Sequence, residues 1–331
     1  MKASTVVAAP RAKKIPAKKR VTKSPRKKSS LFFDATPLLD DPVALRRRAK
    51  QDGYLFFKRF LPAEPLLELR RQMLELCAQR GWLAEGHDLM DGMVDETAIN
   101  QVPAEQMRSD IGVSAEAYRA VQKLELFHTL PHHPKFLSLY GKLFGREAMP
   151  HPRHIARMIT PHSVMTPTPP HQDFIHIQGT PKTWTCWFPL GDCPRENGSL
   201  TVLRGSNHKG VVSVAPSQGA GGLESLLCPH EVAWVEGDFE LGDILTFTSY
   251  TVHRALRSKH RDRIRLSCDI RFQAVDEDIH EASLKPHCHL TWEEIYEGWK
   301  NPAVQYYWKK HDLKLSAWES NIQWQKERIC S

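Results

Sequence analysis

No stretch of this chain approaches the roughly 18 consecutive apolar residues that a membrane-spanning helix needs, and its N-terminus lacks the compact apolar block of a secretory signal. Membrane-spanning and secreted proteins are set aside on that basis. The seven cysteines, Cys77, Cys186, Cys193, Cys228, Cys268, Cys288 and Cys330, include no C-x-x-C pair, are odd in number and lie far apart. That argues against a zinc ribbon or redox dithiol and leads us to expect reduced thiols in a cytoplasmic compartment. No internal repeat is visible. The run His260-Arg261-Asp262 imitates a kinase catalytic loop, but no Gly-rich phosphate loop precedes it and no D-F-G follows. The surrounding SKHRDR reads as a solvated, charged turn.

Acidic residues are also missing from the first 30 positions, which hold eleven Lys and Arg and no aromatic. A self-repelling segment of Lys, Pro, Ala and Ser cannot bury enough apolar area to order, so residues 1–30 are expected to form a disordered basic tail. Such a tail could solubilise the protein, address it to the nucleus or an organelle, or attract anionic polymers nonspecifically. With these residues removed, 35 basic side chains face 38 acidic ones, and the body carries about −3. The overall charge of +8 therefore gives no argument that the body itself recognises nucleic acid.

What remains is an ordinary globular composition, 41% hydrophobic and 25% charged, in a chain long enough for one large domain with appendages or two smaller ones. Residues 43–50 read as a short helix, and Gly53-Tyr54-Leu55-Phe56-Phe57 as a buried strand. Pro62 and Pro65 open a longer helix that Gly81 ends, with Leu66, Leu69, Met73, Leu76 and Cys77 at helical spacing. Phe136, Tyr140, Leu143 and Phe144 mark another helix, stopped by Gly145. From Ile155 the texture changes to short β-rich runs: IARMI, WTCWFPL, SLTVL, ILTFTS and IRLSCDIRF. Asn197-Gly198 between two of them is a hairpin signal, and the regular spacing suggests a sandwich or barrel. Beyond residue 280 the pattern turns helical and aromatic, with Trp292, Tyr296, Trp299, Tyr306, Tyr307 and Trp308 expected to pack on the β core.

The chemistry centres on TPPHQDFIH, where His171 and Asp173, two apart on an extended segment, would project from one face. Eighty residues after Asp173 comes His253, at the end of a strand introduced by the Gly242-Asp243 turn. Two imidazoles and a carboxylate are the ligand set of non-haem Fe(II) oxygenases, which leaves three coordination positions open. Arg265 and Ser267 share a strand face and form a natural dock for a carboxylate. His128, His132, His133, His287 and His289 lack companions at metal-binding spacing and are read as non-ligands.

The run HQDFIHIQGTPKTWTCWFPLGDCPRENGSLTVLRGSNH, followed by GDILTFTSYTVHRA and RIRLSCDIRF, resembles the phytanoyl-CoA dioxygenase family of Fe(II)/2-oxoglutarate-dependent oxygenases, with similarity from about Gly53 to Gln273. The resemblance implies a mainly β fold, a double-stranded β-helix or jelly roll with flanking helices. It would occupy a single domain, 31–331, with its β core at about 150–275 and a helical region at 280–331. It further implies that His171, Asp173 and His253 hold iron and carry catalysis, that Arg265 and Ser267 bind the distal carboxylate of 2-oxoglutarate, and that Trp187 lies near this cosubstrate. Arg157 would line the pocket. Dioxygen is the other cosubstrate, succinate and carbon dioxide are released, and a C–H bond of a small organic substrate is hydroxylated. Arg204-Gly205-Ser206-Asn207-His208 departs from the family's usual Pro-Gly-Ser-His. Two other readings stand beside this one: an inactive oxygenase fold serving as a binding module, and a cupin-type metalloenzyme that does not use 2-oxoglutarate.

Overall fold

The computed structural model describes residues 30–228 and 233–324. The expected disordered tail, except Ser30, and Cys330 lie outside them. The architecture follows from the alternation of one strand, Arg265–Ala274, whose ten residues are all buried. Its even-numbered side chains Leu266, Cys268, Ile270 and Phe272 join the large core shared with the helices. Its odd-numbered ones, Arg265, Ser267, Asp269, Arg271 and Gln273, are polar and nevertheless buried. Polar–apolar alternation usually marks a strand with one wet face. Here the second face is covered by another sheet and becomes a polar interior.

That strand belongs to a six-stranded antiparallel sheet, in which Tyr54–Phe57, Ile244–Thr248, Trp184–Pro189 and Arg265–Ala274 follow in spatial order, with Ala148–Pro150 and Ile155–Ile159 both pairing the far side of the last. Register sets Asp269 opposite Trp187 and Arg271 opposite Thr185. The covering sheet contains Ser30–Leu31, Trp234–Glu236, Leu200–Leu203 and His253–Ala255. Between the two sheets, Tyr54, Phe56, Trp187, Leu245 and Phe247 meet Leu200, Val202, Val235 and Phe239. This is the mainly β jelly-roll arrangement expected, with helices on the outer face of the larger sheet.

The helices form as their residues dictate. Ala63–Ala78 buries Leu66, Leu69, Met73, Leu74 and Cys77, and each such aliphatic side chain contributes roughly 1.5–3 kcal/mol of transfer free energy. Pro134–Phe144 begins at a proline and ends where Gly145 adopts φ 68°. Its Tyr140 stacks on Phe272 at 3.9 Å, and its hydroxyl meets Thr246 Oγ1 at 2.7 Å.

Three expectations are corrected. Trp184–Pro189 and Leu200–Leu203 form no hairpin, because they lie in different sheets. Arg195–Asn197 is a 3-10 turn closed by Gly198 at φ 80°, so the Asn-Gly pair carries the chain from one sheet to the other. His253 does not end the Ile244–Thr248 strand but opens a short strand in the covering sheet. After 280 the described residues form single-turn helices and the short strand Leu315–Ser316, and the aromatics there pack on one another and on His128 and His132 of the helical layer, while the Tyr307 hydroxyl donates to the carbonyl of Pro150 in the larger sheet, at 2.7 Å. Cys77, Cys186, Cys193, Cys268 and Cys288 are free and buried, but Cys228 is disulfide-bonded, so the thiols are not all reduced. Sequence spacing alone does not tell which sulfurs approach within bridging distance. No helix of the described residues is long and apolar enough to cross a membrane.

Candidate active site

His171 and His253 come together through their own backbones. Each donates its N–H to the other's carbonyl, at 2.9 and 3.0 Å, in an isolated antiparallel bridge, and their rings stand 4.1 Å apart. The Nδ1–H groups donate to the carbonyls of Pro169, at 2.8 Å, and Thr251, at 3.1 Å. Those bonds fix the tautomer and present both Nε2 atoms as free ligands. Asp173 does not continue an extended segment as expected. It takes α-helical angles and caps the short helix Phe174–Ile177, and this bend turns its carboxylate back toward the imidazoles. Its Oδ1 lies 3.7 Å from His171 Nε2 and 3.8 Å from His253 Nε2, while Oδ2 accepts a hydrogen bond from Thr185.

The ligand atoms of His171, Asp173 and His253 all lie within 4.8 Å of one another, the one such group of three among the described residues. Ligands of a six-coordinate ion at about 2.1 Å stand roughly 3 Å apart, so a metal would draw Asp173 Oδ1 and each imidazole together by less than about an ångström. The donor set suits a divalent transition metal. Burial, reinforced by His253, pushes the His171 imidazole down to about 3, and burial lowers His253 as well. Burial alone would raise Asp173, but Arg271, the two imidazoles and the Thr185 hydroxyl together hold it well below the usual carboxylate range. Neutral imidazoles beside an ionised carboxylate are the protonation states that metal binding needs.

Along the polar face of Arg265–Ala274, Arg265 Nη1 donates to Ser267 Oγ at 2.8 Å, and its guanidinium carbon lies 5.8 Å from the Trp187 ring. Trp187 is itself fully buried and packs edge-on against Phe239. Among the described residues no carboxylate lies within ion-pair distance of Arg265, although it is only 6% exposed and its Nε has no partner. Arg265 borders a cavity of about 140 Å³ with Thr160, Thr168 and Asn197; the three converging ligand residues are not part of its walls. Arg157 does not stand free as a pocket-lining cation: it forms an ion pair with Asp269 and donates to the Asp110 carbonyl at 2.6 Å.

The remaining motifs fall outside the site. His128 donates its Nε2–H to the Gln122 carbonyl, at 2.8 Å, and its ring packs on Trp299. His133 caps a helix, and His287 lies 3.7 Å from Asp110. Arg261 of the H-R-D run pairs with Glu96 on the surface. In the departing loop, Ser206 Oγ donates to the Leu203 carbonyl and accepts from the Val252 N–H, both contacts adjoining the strand that begins at His253. Sequence reasoning overlooked Thr185 and gave Arg271 no role. The strict alternation of residues 265–274 was the available signal, because it places Asp269 and Arg271 on the face of Arg265.

The phytanoyl-CoA dioxygenase (PhyH) family model matches residues 49–264. The chain is 26% identical over 269 residues to a 1-deoxypentalenic acid 11-beta-hydroxylase of Streptomyces arenae, covering 73% of this chain and 84% of the relative. The hydroxylase of the same name from Streptomyces exfoliatus is 26% identical over 263 residues, with the same coverage. Among solved structures, the epimerase SnoN in complex with Fe3+, alpha ketoglutarate and nogalamycin RO shares the fold, with a TM-score of 0.50, 21% identity, and coverage of 72% of this chain and 87% of that one. With the family model spanning well over half of its length, the chain belongs to the phytanoyl-CoA dioxygenase family of Fe(II)/2-oxoglutarate-dependent oxygenases.

Proposed function

We propose that this enzyme hydroxylates a C–H bond of a small organic substrate, with His171, Asp173 and His253 holding Fe(II) and Arg265 and Ser267 holding the distal carboxylate of 2-oxoglutarate. The observation that carries this reading is the convergence of two correctly oriented imidazoles and one carboxylate in the interior, beside a strand that also bears a buried guanidinium without a counter-ion. Iron(II), when bound, supplies the positions and electrons that activate dioxygen, as 2-oxoglutarate is oxidised to succinate and carbon dioxide. The chain's own residues supply geometry and electrostatics. The Pro169 and Thr251 carbonyls hold the two imidazoles, and Thr185 fixes the rotation of Asp173. Arg265 offers a planar fork at a desolvated position, where a carboxylate replaces the charge compensation that the protein withholds. Trp187 is placed near that fork, and burial of the ligand residues excludes water.

The presence of Asp173 favours hydroxylation over halogenation, because related halogenases lack this carboxylate and give its position to halide. The curated relatives are named hydroxylases, which supports the same outcome. An intact ligand set argues against an inactive binding module, and an unpaired Arg265 argues against a metalloenzyme indifferent to 2-oxoglutarate. We read 31–331 as the single oxygenase domain. The test is a screen of organic acids and alcohols under Fe(II), 2-oxoglutarate and air. A substrate is a compound that raises succinate release and appears with one added oxygen atom. Iron-loaded protein that releases no succinate under any condition would overturn the proposal.

A further inference from the structure

Arg271 is the one cation of the polar strand face that the proposed chemistry does not use. It is 7% exposed, its Nε is buried without a hydrogen-bond partner, and its only ion-pair contact among the described residues is Asp173 Oδ1, 3.6 Å from Nη2. That oxygen is also the one facing both imidazoles. A metal would therefore take the single carboxylate on which Arg271 depends.

The surroundings do not replace it. Asp269, the acidic residue nearest along the strand face, is already committed to Arg157. His151, Arg153 and His176 lie close enough to interact electrostatically with Arg271, and none of them is acidic. His176 is nearly buried, stands 5.8 Å from the His171 ring and leaves Nε2 unpartnered. A charge count reaches the same point. A metal dication and Arg265 carry three positive charges, and Asp173 with the 2-oxoglutarate dianion carries three negative ones. Arg157 and Asp269 cancel. Arg271 is left as one uncompensated positive charge in a desolvated site, which is costly unless a partner arrives with the substrate.

Resting on the reading of this site as an iron and 2-oxoglutarate centre, we propose that Arg271, assisted by His176, forms a second anion subsite that binds a carboxylate of the organic substrate. The substrate class is thus a monocarboxylic acid, held beside the metal-ligand cluster and distinct from the dock at Arg265. A carboxylate matches the planar guanidinium fork, and its single charge matches the single charge left over.

The experiment uses full-length protein loaded with Mn(II) and saturated with 2-oxoglutarate, titrated with benzoate carrying carbon-13 in its carboxylate. The readout is enhancement of carboxyl relaxation by the nearby paramagnetic ion, with benzamide as the neutral comparator. Wild type is expected to enhance benzoate relaxation and not that of benzamide. Arg271→Gln should weaken benzoate binding at least about tenfold, as expected for loss of a buried charged partner, while Mn(II) stoichiometry, 2-oxoglutarate affinity and circular dichroism stay as in wild type. Arg271→Lys should recover part of the loss. Equal behaviour of benzoate and benzamide in wild type would overturn the proposal. So would an Arg271→Gln variant that loses Mn(II), which assigns the residue to orienting Asp173, or one that loses 2-oxoglutarate, which makes it the cosubstrate's arginine. Failure of wild type to bind Mn(II) at all would refute the metal reading itself, and with it this proposal.

Discussion

Replacing Thr185 with Val tests whether the metal-ligand cluster is pre-formed by its neighbours. Thr185 is 1% exposed, and its hydroxyl is the donor to Asp173 Oδ2. Valine keeps the shape of the side chain, so no large cavity is created, and the change is confined to one hydrogen bond. With the hydroxyl present, Oδ2 is held and Oδ1 faces His171 and His253. Without it, the carboxylate is free to rotate and close further on Arg271, whose Nη2 already stands 3.6 Å from Oδ1, and a metal would have to loosen that tightened pair before binding. Hydrogen bonds to a charged group contribute about 1.5–3 kcal/mol, and loss of a group that orients a metal ligand commonly weakens metal affinity about 10- to 100-fold. Anaerobic calorimetric titration with Fe(II) should show a weakening in that range for Thr185→Val, while Thr185→Ser, which restores the hydroxyl, should stay near wild type. A Thr185→Val protein with native circular dichroism and wild-type iron affinity would refute the reasoning.

Arg265→Ala should raise the apparent KM for 2-oxoglutarate about tenfold or more, because truncating one partner of a desolvated charge pair costs about 2–5 kcal/mol; an unchanged KM would remove Arg265 from the cosubstrate site. Burial pushes His128 down from 6.5 to about 4. The unfolded chain therefore binds that proton more tightly, and the stability contributed by the neutral imidazole is full above pH 6.5 and lost as pH falls toward 4. At pH 4.5 the difference amounts to about 2–3 kcal/mol, so urea melts at pH 7.5 and 4.5 should differ less in His128→Gln than in wild type by roughly that amount. Deleting residues 2–30 should leave 2-oxoglutarate turnover unchanged and abolish any salt-sensitive attraction to DNA; a truncated protein that still binds DNA would move the basicity into the body.

The parts of this molecule legible in its sequence are those where one residue pattern has one physical outcome. The apolar face of Phe136, Tyr140, Leu143 and Phe144 with Gly145 at φ 68° past its end marked one helix, and aliphatic spacing identified the buried face of Ala63–Ala78. The ligand residues were legible because their types and order fit one chemistry. Pairings between distant segments were not. Asn197-Gly198 supports a hairpin turn locally, and only the placement of Leu200–Leu203 in the second sheet shows that it serves a crossover. The bend at Asp173 was hidden for the same reason, since its α-helical angles follow from the helix it caps and from the Phe174 N–H bonding to the Ser249 carbonyl. Thr185 and Arg271 became visible once register placed them opposite each other beside Asp173.

Anaerobic Fe(II) stoichiometry in wild type, His171→Ala and His253→Ala is the most direct measurement of the central claim that these two imidazoles and Asp173 form the metal centre. Wild type should bind one Fe(II) per chain, and each variant should lose most of that binding while keeping its circular dichroism. Both variants retaining one tightly bound Fe(II) per chain would contradict the assignment.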